Sequence, residues 1–371
     1  MVRFPTPAIA KSIFIPLLAF SASSLADGIT TTISGFGTVG GSLTSNQDFA
    51  YVHDSSEFSG ATNQFDVGLE SRLGLQATFN FGSGFSVTAQ EVARQRGDKS
   101  FDPGTEWLYA QYQPSPDWKL RLGRVALATF LYSDSRLVGY AAPWFRAPNE
   151  VYGAEPFFYV DGGEVLWHKD FGQFNLKVQG AYGSTEVNLQ AVGISFTSTA
   201  RDVFNVAVSL EYGNFLVRVA QTGTSSLTSL PLSPNFTLSY NIHDKFTSVG
   251  AQYDDGKAIL LSEWSKRSEN DAPILNEPLS ASIQWYLGGG WRFGKLTPFV
   301  VYGRAHEEQS LLSPDSSSSS YSGSLRYDVA RNVALKAEVT RADAASGYWL
   351  TPNQVSHEHI NIYSFGVDFV F

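Results

Sequence analysis

The last nine residues of the chain constrain its fold more than any other stretch. Successive side chains of a strand point to opposite faces, so residues 363–371 divide into an apolar face and a small or polar face. The ends of soluble proteins are usually polar because they fray in water. A strand between lipid and a wet interior fits this pattern, and the last strand of a soluble core is the alternative. The apolar face would carry Tyr363, Phe365, Val367, Phe369 and Phe371, and the other face Ser364, Gly366 and Asp368.

The first 26 residues are organised like a secretory signal peptide. Arg3 and Lys11 precede an apolar stretch at 13–20, and small residues lead to a cleavage position near Ala26 and Asp27. A retained N-terminal anchor is the alternative. Cleavage would remove two basic residues and no acidic one, so the formal net charge would fall from −9 to −11. We expect an exported mature chain.

The composition narrows the classes of protein that this mature chain, residues 27–371, can form. It contains no cysteine, which excludes a disulfide scaffold and any cysteine-based metal or catalytic site. Charged residues make up 16% of the chain, against roughly 25% in soluble domains, and aromatic residues make up 14%. No later stretch has the roughly 18 consecutive apolar residues of a spanning helix. The acidic balance argues against nucleic acid as a partner.

Two-residue alternation recurs along the whole mature chain. In its clearest stretches an apolar face opposes a face that carries Asp, Glu, Lys or Arg. Charges on one face of so many strands would disrupt a packed sandwich, but they suit a water-filled lumen. The pattern predicts an all-β transmembrane barrel of one domain. The clearest stretches are 65–81, 204–212, 321–329 and 333–339.

Short and long connections alternate between the predicted strands. Seven tight turns and eight long polar stretches predict sixteen antiparallel strands, with short periplasmic turns and long outer loops. The first strand, 31–43, could pair with the last, 359–371, and leave no open edge. Sixteen strands would enclose an aqueous channel. The long stretches are about 44–64, 97–104, 125–160, 183–200, 224–244, 266–278, 305–318 and 342–357.

With these features together, the chain resembles a Gram-negative outer-membrane porin of the sixteen-stranded, general-porin type. The local matches are residues 33–37 (Ile-Ser-Gly-Phe-Gly), residues 121–124 (Arg-Leu-Gly-Arg) before a long third loop, and the terminal Phe371. The resemblance implies a cell outer membrane location among lipid and lipopolysaccharide, a homotrimer, and passive diffusion of small hydrophilic solutes and ions. It also implies that the third loop, about 125–160, folds into the lumen. The outer-membrane assembly machinery would recognise Phe371 in the last strand.

A diffusion pore needs a constriction whose radius and fixed charges select solutes. We expect basic side chains on neighbouring strands to face acidic side chains of the third loop, which would create a transverse field. The alternative is that these charges are scattered over the lumen and paired locally. The basic side would comprise Arg72, Arg94, Arg96, Lys119, Arg121 and Arg124, and the acidic side Asp134, Glu150, Glu155 and Asp161.

The third loop is also rich in aromatic residues. They could pin a folded-in loop to the barrel wall, which we favour, or stack against a sugar or aromatic solute. His357 and His359 could bind a metal weakly, but no third ligand is suitably spaced, and we expect no metal site and no cofactor. The aromatic residues are Trp144, Phe145, Tyr152, Phe157, Phe158 and Tyr159.

Three other functions compete with a passive pore. One is a substrate-selective channel with a dedicated site in the long loop. A second is an outer-membrane barrel enzyme, although the sequence contains no recognisable catalytic motif. A third is a secreted β-sandwich or adhesin. The net charge favours cations, whereas a basic constriction would favour anions, so the sequence leaves the selectivity open.

Overall fold

The structure, a computed structural model, describes most of residues 28–371. The predicted signal peptide and its cleavage position lie outside the described residues, as do Arg96 and His357. The described residues are 28–48, 50–53, 57, 59–95, 100–155, 157–191, 194–233, 236–270, 281–307, 317–343, 349–350 and 359–371.

Sixteen antiparallel strands form a closed barrel, as predicted. Each strand pairs with its neighbours in the sequence, and the first strand pairs with the last, so no edge stays open to lipid. In chain order the strands are β1 Thr30–Thr44, β2 Arg72–Gly82, β3 Phe85–Arg94, β4 Pro103–Ser115, β5 Trp118–Ala126, β6 Tyr159–Phe171, β7 Phe174–Ala191, β8 Ile194–Tyr212, β9 Phe215–Ser233, β10 Phe236–Asp254, β11 Ala258–Asn270, β12 Ala281–Trp291, β13 Leu296–Glu307, β14 Ser317–Ala330, β15 Val333–Asp343 and β16 His359–Val370.

The seam between β1 and β16 closes the barrel. Phe36 pairs with Val370 and Gly37 with Phe369, and the register continues along nine residue pairs. Beyond the end of β16, the amide of Phe371 donates to the carbonyl of Gly35 at 2.9 Å. The aromatic C-terminus is therefore part of the barrel wall.

Tight turns join the strands at one end of the barrel, where the sequence predicts them. Gly172 and Gly213 adopt φ values of 65° and 57°, a conformation that other residues rarely take. The long connections lie at the opposite end. No helix of the described chain has the length and apolar character needed to cross a membrane.

The two faces of the wall differ as the alternation predicts. On β5 the outward Leu122 is 70% exposed, and on β8 the outward Val206 and Val208 are also exposed. On the same strand Asn205 and Ser209, which flank the segment 206–208, face inward and are buried. The outer wall is apolar and the inner wall is polar, which is the arrangement of a membrane barrel with a wet lumen.

Three sequence-based assignments are wrong. The strand predicted to begin at residue 65 begins at Arg72, because Asp66 Oδ1 accepts hydrogen bonds from the amides of Gly68 and Leu69 and holds them in a turn. The loops predicted at 183–200 and 224–244 are mostly strand, since β7 to β10 continue to Ala191, Ile194, Ser233 and Phe236. These extensions are rich in Ser and Thr, a composition typical of loops, although Leu238, Tyr240 and Ile242 alternate with polar residues as in a strand.

Candidate functional site

The third loop, residues 127–158, lies inside the barrel. Apolar contacts hold it against the inner wall: Trp144 packs edge-on against Tyr286 and Phe299, each at a ring-centroid distance of 5.7 Å. Tyr152 and Phe130 stack on each other within the same buried cluster. The prediction that aromatic residues pin the loop to the wall is confirmed for Trp144 and Tyr152.

Buried polar groups of the wall also anchor the loop. Glu263 on β11 accepts hydrogen bonds from the Tyr152 hydroxyl at 2.5 Å and from the Leu131 amide at 2.8 Å. Arg218 on β9 donates to the Phe130 carbonyl at 2.5 Å. Since backbone groups of a loop inside a barrel must find partners, these side chains fix the path of the loop.

Between the third loop and the wall lies a cavity of about 100 Å³ whose lining is basic. Four arginines line it: Arg72 and Arg94 from the wall, and Arg136 and Arg146 from the loop. His53 and Glu57, from the loop that follows β1, complete its charged lining. We call this cavity, defined by those six residues, the arginine chamber.

His53 lies between two carboxylates at the edge of the arginine chamber. Its Nδ1 is 3.0 Å from Glu57 Oε1 and its Nε2 is 3.3 Å from Glu70 Oε2. Burial alone would lower the pKa of His53, but Glu57 and Glu70 raise it to about 9. The imidazole is therefore charged at neutral pH. It links the first loop to the turn before β2.

Arg146 continues this network into the third loop. Its Nη1 is 3.4 Å from Glu70 Oε1, and its guanidinium lies 4.4 Å from the centre of the Tyr51 ring. Burial opposes ionisation of Glu70, but Arg146 and His53 hold the pKa of this carboxyl well below its usual range. One ion-pair network therefore joins the loop after β1, the turn before β2 and the third loop.

Arg72 and Arg94, both predicted for the basic side, lie directly opposite each other on β2 and β3. Arg72 Nε donates to the Leu137 carbonyl of the third loop at 2.8 Å. Arg94 Nε lies 3.8 Å from Glu106 Oε1. Both side chains therefore face the lumen next to the loop.

Lys119 and Arg121 lie lower on the inner wall. Arg121 Nη1 is 3.0 Å from Glu164 on β6, so one of the predicted basic groups is locally paired. Asp134 of the loop lies within electrostatic range of Glu164 and of Lys177 on β7. The carboxylate of Asp134 therefore lies near a part of the inner wall that carries both acidic and basic side chains.

Arg124 and Asp161 do not face each other across the lumen, which corrects the sequence-based assignment. They form a bidentate pair on neighbouring strands, with N–O distances of 2.8 and 2.7 Å. Arg124 pairs in register with the outward Leu108, and it lies two residues from the outward Leu122. Strand periodicity therefore places the pair on the outer wall.

Glu150 and Glu155 do not face the channel either. Both are buried where the loop meets the wall, with 4% and 1% of their surface exposed. Glu150 belongs to the short helix α1, Asn149–Tyr152, and packs beside Gly303. Burial raises the pKa of Glu150, and Ser320 opposes this through a hydrogen bond. Glu155 accepts the Phe157 amide at 3.0 Å.

Sequence reasoning missed Arg136, Arg146 and His53. The expectation of an acidic third loop counted only its carboxylates, although both arginines stand in the same stretch. Arg136 lies 3.3 Å from the centre of the Phe158 ring. A count of basic as well as acidic residues in the third loop would have identified the two arginines. The position of His53 could not be predicted in this way, because it depends on contacts between loops.

The comparisons agree with this architecture. A sequence profile described as Gram-negative porin matches residues 15–346. The search of curated proteins found no match to this sequence.

Several solved barrels share the fold at low sequence identity. An anion-selective porin from Comamonas acidovorans is 14% identical, with a TM-score of 0.60 over 92% of this chain and 100% of that one. The outer membrane channel DcaP of Acinetobacter baumannii is 13% identical, with a TM-score of 0.61 over 94% and 99%. The trimer form of OmpT, an outer membrane protein of Vibrio cholerae, is 13% identical, with a TM-score of 0.60 over 92% and 99%.

A closed sixteen-stranded barrel with a wet interior and an inserted loop defines an outer-membrane channel. The family match extends over most of the chain, so this protein belongs to the Gram-negative porin family. It is an outer-membrane channel for passive diffusion.

Proposed function

We propose that this channel passes small hydrophilic solutes and prefers anions, and that the arginine chamber sets the preference. The observation that carries the proposal is the charge of the lining, which holds four arginines, a charged His53 and one carboxylate, Glu57. Glu70 and Glu106 also pair with members of this set but do not line the chamber themselves. An anion-selective porin is among the barrels with this fold, so the fold accommodates such a preference.

The arrangement of Arg72 and Arg94 explains how an anion would be favoured. Like charges directly opposite each other on neighbouring strands repel. An anion between the two guanidinium groups would relieve that repulsion and gain charge-assisted hydrogen bonds. The low-dielectric wall would concentrate the field in the lumen, where it acts on passing ions more strongly than the distant surface charges of the protein.

The lower part of the inner wall would discriminate polar from apolar solutes, and not anions from cations. Asp134 lies on the loop side, and Lys177 and Arg121 lie on the barrel side. Opposite charges across a narrow passage orient water and dipolar solutes, so apolar solutes would pass less readily. This arrangement of charges retains part of the predicted transverse field, and Asp134 supplies its negative side.

Ion selectivity in a planar bilayer tests the proposal. We expect the reversal potential of the wild-type channel in a potassium chloride gradient to indicate preference for chloride. The Arg94→Gln/Arg136→Gln variant should shift that potential towards the value for potassium, because it removes one charge from the wall and one from the loop.

Lys257→Gln/Arg331→Gln is the matched control. It changes the net charge equally, but its exposed residues lie in the turns at the far end of the barrel. The control should keep the reversal potential of the wild type. A wild-type preference for potassium, or a chamber variant identical to the wild type, would contradict the proposed selectivity.

Other features of the family extend the proposal. The chain would act as a passive channel and not as an enzyme. A trimer form exists for one similar barrel, which supports a homotrimer here. The assembly machinery would recognise the last strand with its terminal Phe371.

A further inference from the structure

The lining of the arginine chamber has an apolar side as well as a charged one. The chamber is also lined by the rings of Tyr132, Trp144 and Tyr152 and by the aliphatic side chains of Leu137 and Val138. Apolar side chains offer a hydrated inorganic ion neither charge nor hydrogen bonds. Sites for small organic molecules typically combine an apolar lining with a few polar groups that fix the orientation of the ligand. The lining therefore suits a solute that carries both a negative charge and an apolar part.

Contacts within the loop and with the barrel wall hold the rings of this apolar side in place. The ring centroids of Tyr132 and Trp144 lie 5.3 Å apart, and the ring planes are tilted by 60°. The Tyr152 hydroxyl donates to Glu263 at 2.5 Å, and all three rings belong to one buried cluster. A surface that is ordered before a ligand arrives loses little conformational entropy on binding. The rings therefore form a preorganised surface for an apolar part of a solute.

Arg72 is placed to bind a carboxylate. Its Nε donates to the Leu137 carbonyl at 2.8 Å, which holds the guanidinium beside the third loop. In the part of the chain that the structure describes, its Nη1 and Nη2 atoms form neither a hydrogen bond nor an ion pair. Two parallel N–H groups of a guanidinium match the two oxygens of a carboxylate. Arg72 therefore offers a bidentate site, and the hydrogen bond of its Nε fixes the position of that site.

The other three arginines of the chamber are engaged in contacts within the protein. Arg94 and Arg146 lie 3.8 and 3.4 Å from carboxylate oxygens. The guanidinium of Arg136 lies 3.3 Å from the centre of the Phe158 ring. These three side chains contribute positive charge to the chamber, whereas Arg72 contributes positive charge and its two Nη donors.

We propose that the arginine chamber binds small aromatic monocarboxylates. The carboxylate accepts hydrogen bonds from the two Nη atoms of Arg72, and the ring lies against Leu137, Tyr132 and Trp144. The volume of about 100 Å³ is of the order that one ring requires, since an apolar cavity of about 150 Å³ holds benzene. This inference rests on the proposed preference for anions and adds the class of solute.

Single-channel recording of the full-length channel in a planar bilayer tests the inference. Benzoate, added to a potassium chloride solution, should interrupt the current in a concentration-dependent way. Its apparent dissociation constant should be roughly tenfold or more below that of acetate, because only benzoate gains from burial of a ring. Benzyl alcohol has the ring but no charge, and it should bind as weakly as acetate does.

Two variants separate the contributions of the guanidinium and of the apolar side. Arg72→Lys keeps the charge but removes the pair of parallel donors, so it should raise the dissociation constant of benzoate roughly tenfold. It should leave the reversal potential in a potassium chloride gradient at the wild-type value. Leu137→Ser should weaken the binding of benzoate and leave that of acetate unchanged. Lys257→Gln, at an exposed turn at the far end of the barrel, is the control and should bind benzoate as the wild type does.

Heat-modifiable migration in detergent verifies that each variant is folded. Should a variant fail this check, the comparison of benzoate, acetate and benzyl alcohol on the wild-type channel decides the question. Equal dissociation constants for benzoate and acetate would overturn the inference, and a preference for chloride would then leave the proposed function intact. Unchanged benzoate binding in Arg72→Lys would also overturn it, because the carboxylate would then not depend on the two Nη donors. A wild-type preference for potassium contradicts the proposed function itself.

Discussion

Lys336 and Asp368 form an ion pair on the inner wall beneath the third loop, with an N–O distance of 3.0 Å and almost no exposed surface. Lys336 Nζ also donates to three loop carbonyls, those of Gly139, Ala142 and Trp144, at 2.6 to 2.8 Å. Thr38 donates to the other carboxylate oxygen of Asp368 at 2.6 Å. One ammonium group therefore joins the seam of the barrel to the loop that lies inside it.

Lys336→Met should loosen this attachment. The substitution leaves Asp368 as a buried charge without its cation, and breaking a buried pair in this way costs about 3–5 kcal/mol. The Trp144 carbonyl loses its donor, whereas the carbonyls of Gly139 and Ala142 keep one each, from the Ala142 amide and from Arg326. We expect a lower temperature for the loss of folded migration in detergent. We also expect fluctuating single-channel current, because loop 3 would no longer be fixed. Lys257→Met, at an exposed turn, is the control. A quiet current and an unchanged transition temperature would show that the remaining contacts suffice.

The His53 network predicts a stability that falls at alkaline pH. The pKa of His53 in the folded protein is about 9, above the unperturbed value of about 6.5. The stabilisation is therefore complete below about pH 6.5 and declines as pH rises through 9. The difference corresponds to about 3 kcal/mol. Melting of the wild-type protein between pH 6 and 10 should reveal this decline.

His53→Gln should remove most of that pH dependence, because its amide cannot take up a proton in this range. The variant should be less stable than the wild type at pH 6 and similar to it at pH 10. His168→Gln provides a control at an isolated histidine of β6. Parallel melting curves for the wild type and His53→Gln across this range would contradict the proposed role of the imidazolium.

The closing seam depends on glycine. A Cβ atom at Gly37 would lie 2.4 Å from Cζ of Phe369, so the ring of Phe369 occupies the space above this residue. Gly37→Ala should force the ring or the strand to move, at a cost of about 1–3 kcal/mol. Gly180→Ala is the matched control on β7, since no atom lies within 4 Å of its added Cβ. A lower melting temperature is expected for Gly37→Ala alone, and equal melting of the two variants would exclude a steric role for this contact.

Alternation along the strands was sufficient to predict the barrel, because lipid and water impose opposite requirements on the two faces of each strand. It also predicted that Arg72, Arg94 and Arg121 face inward. Arg124 was misassigned although it stands three residues from Arg121, a spacing that places it on the opposite face. Its partner Asp161 follows from the register of β5 and β6, which the sequence does not specify.

The arginine chamber could not be predicted because it depends on the path of the third loop. Arg146 meets Glu70 and Tyr51 only after the loop has folded into the barrel. Hydrogen bonds that Lys336 donates and Glu263 accepts fix that path, and these groups lie far from the loop in the sequence. Alternation identifies such residues as inward-facing but gives no indication of what they bind.

Two buried carboxyl groups should respond unequally to the same substitution. Burial raises the pKa of Glu150, and its Oε2 has no hydrogen-bond partner, so a neutral side chain suits this position. Glu150→Gln should therefore change the free energy of unfolding by less than about 1 kcal/mol at pH 7.

Glu70 is held ionised between Arg146 and His53, and Glu70→Gln would leave both cations short of a partner. A loss of about 3 kcal/mol or more is expected for Glu70→Gln, by the same reasoning as for other broken buried pairs. Urea unfolding of the two variants in detergent measures the contrast, and an equal loss for both would mean that Glu150 is also ionised in the folded protein.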